Sequence, residues 1–169
     1  TCTNTTNLAL NKPSYQSSTC YGGNASKAND GNTNGHYSNG SVSHTCKNKK
    51  PYWELDLQGI YQIDEIKIWN RTDCCAGRLK KYYVFVSNVP FTSSNINTLK
   101  NDPNNWHSYQ SAQAGSPTTI PVGRTGRYVC VMINGETYLS LAEVEVFGCS
   151  INGAILSQGN PNQVNTPIS

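Results

Sequence analysis

Apolar residues in this chain recur at every second position, in short runs set apart by turn-forming residues, the pattern of half-buried strands. Trp53-Glu54-Leu55-Asp56-Leu57 alternates strictly and puts Trp53, Leu55 and Leu57 on one face. Ile66-Lys67-Ile68 alternates in the same way. Tyr82-Tyr83-Val84-Phe85-Val86 is apolar on both faces, which predicts a strand covered on both sides. Arg127 to Ile133 reads as a further strand, and so does Ala142 to Phe147. In the last, Val144 and Val146 share one face while Glu143 and Glu145 share the other. Between the strands lie Tyr21-Gly22-Gly23-Asn24, Asn29-Asp30-Gly31-Asn32, Asn39-Gly40 and Asn101-Asp102-Pro103-Asn104, all rich in turn formers. No helical period longer than two turns stands out. The pattern predicts an all-β, antiparallel β-sandwich.

With 169 residues the chain has the size of one domain with a real core. Charged residues make up 14%, and Asn, Ser, Thr, Gly and Tyr take their place, which favours a secreted, extracellular module over a helical cytosolic enzyme. A net charge of +3 is too small to argue for a nucleic-acid partner. The tightest basic cluster, Lys47, Lys49 and Lys50, is broken by Asn48 and reads either as a solvated loop or as a rim for an anionic glycan. No apolar run approaches the length of a membrane span, so no membrane insertion is expected. No signal peptide is visible, and the start at Thr1-Cys2 looks like that of a processed or excised fragment. Residues 150–169 hold Gly, Pro, Asn, Gln and Ser with few large apolar groups. They read as a C-terminal tail or linker after a domain spanning 1–149, or as the start of a further domain in a longer, multidomain chain.

Seven cysteines point to an oxidising compartment. They form no pair of CxxC knuckles, which argues against zinc. The odd count leaves at least one thiol free, and Cys130, inside an apolar strand, is the candidate. Cys2 with Cys149 would tie the ends of the domain together, and Cys20 with Cys46 would staple two loops. Cys74 and Cys75 are neighbours that either close a vicinal ring or pair elsewhere. Sequence alone does not fix the connectivity.

The chemistry-bearing residues gather in one stretch, from His44 through Arg71, Asp73, Cys74 and Cys75 to Arg78. Arginine offers a planar fork of donors that never loses its charge and is seldom buried without a partner. A histidine, two arginines and a carboxylate between them suit the hydroxyls of a polar, uncharged ligand. Nothing in the set pairs a nucleophile with a base or brackets a scissile bond with two carboxylates, so no enzymatic activity is expected.

His44, 26 intervening residues, Arg71-x-Asp73, four residues and Arg78 together resemble the signature of the F-type lectins, the fucose-binding fucolectin family. The likeness extends over residues 7–149, through Asn7-Leu8-Ala9-Leu10-Asn11-Lys12-Pro13, Ala28-Asn29-Asp30-Gly31-Asn32, the Trp53 to Leu57 run and Leu141 to Val146. It implies an eight-stranded jelly roll with its sugar site in loops at one end. It also implies that His44, Arg71 and Arg78 hydrogen-bond a terminal α-L-fucose, that Asp73 braces an arginine, and that a Cys74–Cys75 bridge faces the sugar methyl. Tyr37, on the adjoining loop, would add an aromatic contact. A structural Ca²⁺ ion belongs to the same resemblance, an oxygen-only site as a hard cation requires. Its ligands would be the side chains of Asp30, Ser41 and Glu143 and the carbonyls of Lys27 and Asn32, with Ala142 beside Glu143 in the set. Some members bridge two cysteines where this chain has Val42 and Ala142, so the loops from Cys20 to Asn24 are expected to be held differently here. Partners would be fucosylated glycans, met with several sites at once in an oligomer or multidomain chain. The rival readings are a carbohydrate-binding appendage of a larger glycosidase, toxin or adhesive protein, and a discoidin-like module for protein or phospholipid. Glycosylation sequons stand at Asn4, Asn24, Asn39 and Asn70, and those at Asn39 and Asn70 are expected to be unmodified because a glycan there would block the site.

Overall fold

Two long strands organise the molecule. The computed structural model describes residues 1–152. In it β1 (Thr6–Asn7), β2 (Ser14–Gln16), β3 (Tyr52–Asn70), β4 (Tyr82–Ser87), β5 (Asn105–Gln110), β6 (Thr118–Ile133) and β7 (Leu141–Ser150) are joined by loops and one short helix, α1 (Ile96–Asn101). β3 and β6 are antiparallel neighbours whose register breaks between Asp56 and Tyr61 and again between Ile63 and Glu65. Such bulges bend a strand and raise its twist. The first half of β3 pairs with β2 and the second half of β6, whereas its second half pairs with β7 and the first half of β6. Trp53, Leu55 and Leu57 from before the bend and Ile63, Ile66 and Ile68 from after it enter one buried cluster. The strand pair therefore wraps its own core, and one hydrogen-bonded sheet of order β1-β7-β3-β6-β4-β5, with β2 on β3, makes both layers of the sandwich. Seven strands are present where eight are expected, with β3 and β6 each running unbroken through both layers.

The inward faces are those the alternation indicates, with Trp53, Leu57, Ile66, Ile68, Val144 and Val146 fully buried. β4 is buried along its whole length because its outer face carries a second cluster. There Tyr83 and Phe85 pack with Cys130 and Met132 of β6 under Ile96 and Leu99 of α1. Asn95 caps that helix by accepting from the Thr98 N–H at 3.1 Å. Cys130 is free and buried, and burial pushes its thiol well up.

Two disulfides pin the edges of the fold. Cys2–Cys149 clasps the N-terminus to β7, with its Cα atoms 5.8 Å apart, and Cys20–Cys46 joins two points of the long β2–β3 connection. Ser150 pairs with Tyr61 and belongs to β7, so the domain extends past the expected boundary at 149. The expected tail beyond residue 152 lies outside the described residues. Among the described residues no helix is long and apolar enough to cross a membrane. The β2–β3, β3–β4 and β6–β7 connections converge where β3 ends and β7 begins, since Asn70 pairs with Leu141 there.

Candidate functional site

His44 lies at the base of this end of the sandwich, on a stretch that β7's leading segment holds in place. Ser43 N–H donates to Leu141 O at 2.9 Å and Thr45 N–H to Leu139 O at 3.0 Å. On the other side His44 N–H donates to Gly23 O at 2.9 Å, while Cys20 N–H donates to His44 O at 3.1 Å. This approach requires glycine at position 23, because a Cβ there would overlap the main chain of His44. The imidazole is only 4% exposed. Its Nδ1 sits 2.6 Å from Thr45 O, and a carbonyl can only accept, so Nδ1 carries the proton and Nε2 is left as an acceptor. Burial lowers the imidazole below its ordinary value of 6.5; the Thr45 hydrogen bond opposes this, and the charges of Arg71 and Arg78 add to it.

Three tyrosines surround His44 edge-on, Tyr21 at 5.0 Å, Tyr138 at 5.5 Å and Tyr37 at 5.7 Å between ring centroids. Two of them carry the arginines: the Arg71 guanidinium lies 4.7 Å from the Tyr37 ring centroid, and that of Arg78 lies 4.7 Å from the Tyr138 centroid. The Tyr37 hydroxyl donates to the Tyr21 carbonyl, locking one wall.

The arginines differ in how they are held. Arg71 makes a bidentate pair with Asp73, Nε to Oδ1 at 2.8 Å and Nη2 to Oδ2 at 3.1 Å. Hydrogen bonding to Arg71 holds the Asp73 carboxyl well below the usual carboxylate range. Asp73 Oδ1 also accepts from the Tyr37 N–H at 3.1 Å, so one carboxylate fixes both Arg71 and the loop bearing Tyr37. Arg78 ends the tight 3-10 turn Ala76–Arg78, and among the described residues its guanidinium has neither a hydrogen bond nor a carboxylate partner. Its donors are free to meet a ligand.

Cys74 and Cys75 form the vicinal disulfide, with Cys75 in the left-handed region at φ 66°. Below it, the buried Asn70 amide donates to Ala76 O at 3.0 Å and Ala114 O at 2.9 Å, anchoring the loop from both sides. The Tyr37 loop docks through Thr72 N–H to Gly35 O at 2.9 Å, and a Cβ at Gly35 would overlap Thr72 and the Asn70 carbonyl. Tyr21, Tyr37, His44, Arg71, Cys74, Cys75, Arg78 and Tyr138 line one open pocket of about 340 Å³. The sequence pattern marks all of these except Tyr21 and Tyr138, loop aromatics whose neighbours carry no signature.

The expected cation ligands fall in two groups. Glu143 is fully buried on β7; its Oε2 accepts from the Gly31 N–H at 2.6 Å. Its Oε1 has no hydrogen-bond partner among the described residues. Burial, with the nearby charges of Asp30 and Glu145, pushes this carboxyl up to about 8. Asp30 lies beside it, its Oδ1 accepting from the Asn32 N–H at 3.0 Å. The Ser41 hydroxyl is 1% exposed and faces the carbonyls of Asn34 and His36. Lys27 sits in the 3-10 turn Ala25–Asn29, and Ala142, like Val42, is fully buried in the apolar packing. Two carboxylates forced together, one with an orphaned oxygen, fit a hard cation. Among the described residues no three Cys, His, Asp or Glu side chains cluster, so the remaining ligands would be hydroxyl and carbonyl oxygens.

The fold and site define a class, and comparison agrees: a family model described as a NedA-like, galactose-binding domain matches residues 27–131. Within that class, Fucolectin-5 of Anguilla japonica is 35% identical over 83% of this chain and 75% of its own. A fucose binding module of Streptococcus pneumoniae is 33% identical with a TM-score of 0.74, covering 86% of this chain and 96% of that one. The lectin domain of Lectinolysin, solved with Lewis B antigen, is 33% identical with a TM-score of 0.72, covering 86% and 98%. The chain belongs to the F-type lectin, or fucolectin, family. It spans between 62% and 75% of the length of the Anguilla fucolectins it matches.

Proposed function

We propose that this domain is an extracellular lectin for terminal α-L-fucose on glycans, without catalytic activity. The observation that carries the reading is the Arg78 guanidinium, which lines the pocket on the Tyr138 ring with no carboxylate or hydrogen-bond partner among the described residues, beside an acceptor nitrogen and a braced second arginine. A hydroxyl that donates to His44 Nε2 can accept from an arginine at the same time, which matches the two-way hydrogen bonding of a sugar. Arg71 is preorganised by Asp73, so little freedom is lost when it donates to the ligand. The Cys74–Cys75 disulfide supplies apolar surface for the C6 methyl of a 6-deoxy sugar. Both the Fucolectin-5 likeness and the fucose binding module likeness support this ligand.

A structural Ca²⁺ ion completes the proposal. Asp30, Ser41 and Glu143 would hold it by side chain, with the carbonyls of Lys27 and Asn32. The ion supplies positive charge to the two carboxylates and ties the Asp30 turn to β7. The likeness to a lectin domain of Lectinolysin favours one variant of the reading, in which the domain targets a larger protein to fucosylated surfaces.

Calorimetric titration with L-fucose tests the ligand directly, and L-galactose, which carries a hydroxyl where fucose has its methyl hydrogen, tests the disulfide contact. Saturable binding of fucose that weakens with L-galactose is expected. Absence of heat from a folded domain would sink the assignment.

A further inference from the structure

We infer that the sugar pocket opens onto a second, basic subsite that takes an anionic substituent, a sulfate ester or a carboxylate, on the saccharide next to the terminal one. The inference rests on the fucose reading above. A second pocket of about 330 Å³ lies between the β3–β4 and β6–β7 connections, at the small end of ligand sites and suited to one sugar ring. Arg78 belongs to the lining of both pockets. A glycan bound by its terminal sugar therefore has this surface as an exit.

The second pocket is basic by construction. Lys80 and Lys81 line it with Arg78, and Glu136 is the acidic residue in its wall. Lys80 N–H donates to Arg78 O at 3.1 Å, and Asn134 N–H donates to Lys81 O at 2.8 Å, so the two loops are clamped together. Thr137, also in the wall, exchanges two main-chain hydrogen bonds of 3.0 Å with Asn48. That bridge docks the exposed loop of Lys47, Lys49 and Lys50 against the rim. Among the described residues the ion pairs are Arg71–Asp73 and Arg127–Asp56, so none of these lysines is neutralised by a carboxylate. Six of the chain's 13 Lys and Arg residues share this flank with Glu136. Unpaired like charges repel one another, and a bound anion relieves that repulsion. Lysine ammonium groups on flexible stems suit tetrahedral or carboxylate oxygens alike.

The test compares a neutral fucosylated oligosaccharide with its sulfated and its sialylated forms, by calorimetry on the wild-type domain, with L-fucose alone as control. Each anionic form tried separately distinguishes the two sources of charge. At about 0.05 M salt at least one anionic form should bind about fivefold tighter than the neutral one, and the advantage should vanish near 0.5 M. The K80Q/K81Q double variant should lose the advantage while keeping its L-fucose affinity, and Glu136→Gln should enlarge it. Equal affinity for neutral and both anionic glycans, with L-fucose still bound, overturns the subsite and leaves the fucose reading standing. Failure to bind L-fucose overturns that reading and the subsite with it.

Discussion

At the scale of single residues the site separates groups that hold shape from groups that hold ligand. Arg71 is committed to Asp73 and Tyr37, whereas Arg78 rests on Tyr138 and is otherwise unpaired among the described residues. Arg78→Ala should therefore cost about a hundredfold or more in L-fucose affinity, the loss of charge-assisted hydrogen bonds, while shifting Tm by less than about 3 °C. Calorimetry and a thermal melt on one preparation separate the two effects. His44 makes the pH dependence predictable. Its folded value lies below 6.5, so it is neutral above that pH, with Nε2 free to accept. Fucose affinity should be flat above pH 6.5 and fall as pH drops through the lowered value, by roughly tenfold per unit at the limit. The stability contribution of the neutral imidazole has the same sign: it is fully present above 6.5 and lost as pH falls, because the unfolded chain takes up the proton first. Fucose affinity that rises on acidification would place a protonated histidine at the ligand and overturn the acceptor role.

At the scale of elements the loop that carries Arg71, Asp73 and the vicinal disulfide depends on what lies beneath it. Asn70 closes β3 and is 3% exposed, with its amide shared between the Ala76 and Ala114 carbonyls. Asn70→Ala leaves those carbonyls without their donor. It should lower stability by about 2–3 kcal/mol and weaken fucose binding even though position 70 lies outside the pocket lining. A melt unchanged from wild type would show that the loop is held by other means. Of the two sequons beside the site, Asn70 is buried in the folded domain and Asn39 is exposed. The inner strands were legible in the sequence because burial of one face writes alternation into Trp53–Leu57 and Val144–Val146. β2 and β5 left no such trace, since each is an edge strand with polar, partly exposed residues. The first half of β6 was hidden for the same reason, with Thr119, Pro121 and Gly123 exposed and Thr118 and Arg124 half-buried polar residues. Continuity of β3 through Gln58 and Gly59 was masked by a bulge that reads locally as a turn. In the site, the histidine–arginine spacing survived because one loop fixes Arg71 to Arg78. Tyr138 reaches His44 only through the pairing of residues 43–45 with 139–141, a long-range contact that leaves no local signal.

At the scale of the whole molecule the proposed ion site and the sugar site are two parts of one end of the sandwich. Glu143 stands on β7 and meets the Asp30 turn, and the Tyr37 loop runs from that turn to Asp73 and Arg71. The buried Glu143 carboxyl and the exposed Asp30 carboxyl beside it repel when both are ionised, so a bound cation would stabilise the folded state while the unfolded chain offers it no formed site. At a calcium concentration about a hundredfold above its Kd, the gain is about 2.7 kcal/mol, or roughly 5–10 °C in Tm for a domain of this size. Chelation should lower the melting temperature by that amount, and because the Tyr37 loop is anchored through the same turn, it should also weaken L-fucose binding. Glu143→Gln separates charge from fold. Without metal the Glu143 carboxyl, raised to about 8, is mostly neutral at pH 7, and glutamine matches it in shape and charge, so the chelated variant should melt at or above the chelated wild type. It also removes a ligand, so added calcium should no longer raise its Tm. A wild-type domain whose melt and fucose affinity ignore both calcium and chelator would mean that the Asp30–Glu143 contact stands on a shared proton, and that the sugar site keeps its shape through the Cys20–Cys46 staple and the Asp73 brace without help from a metal.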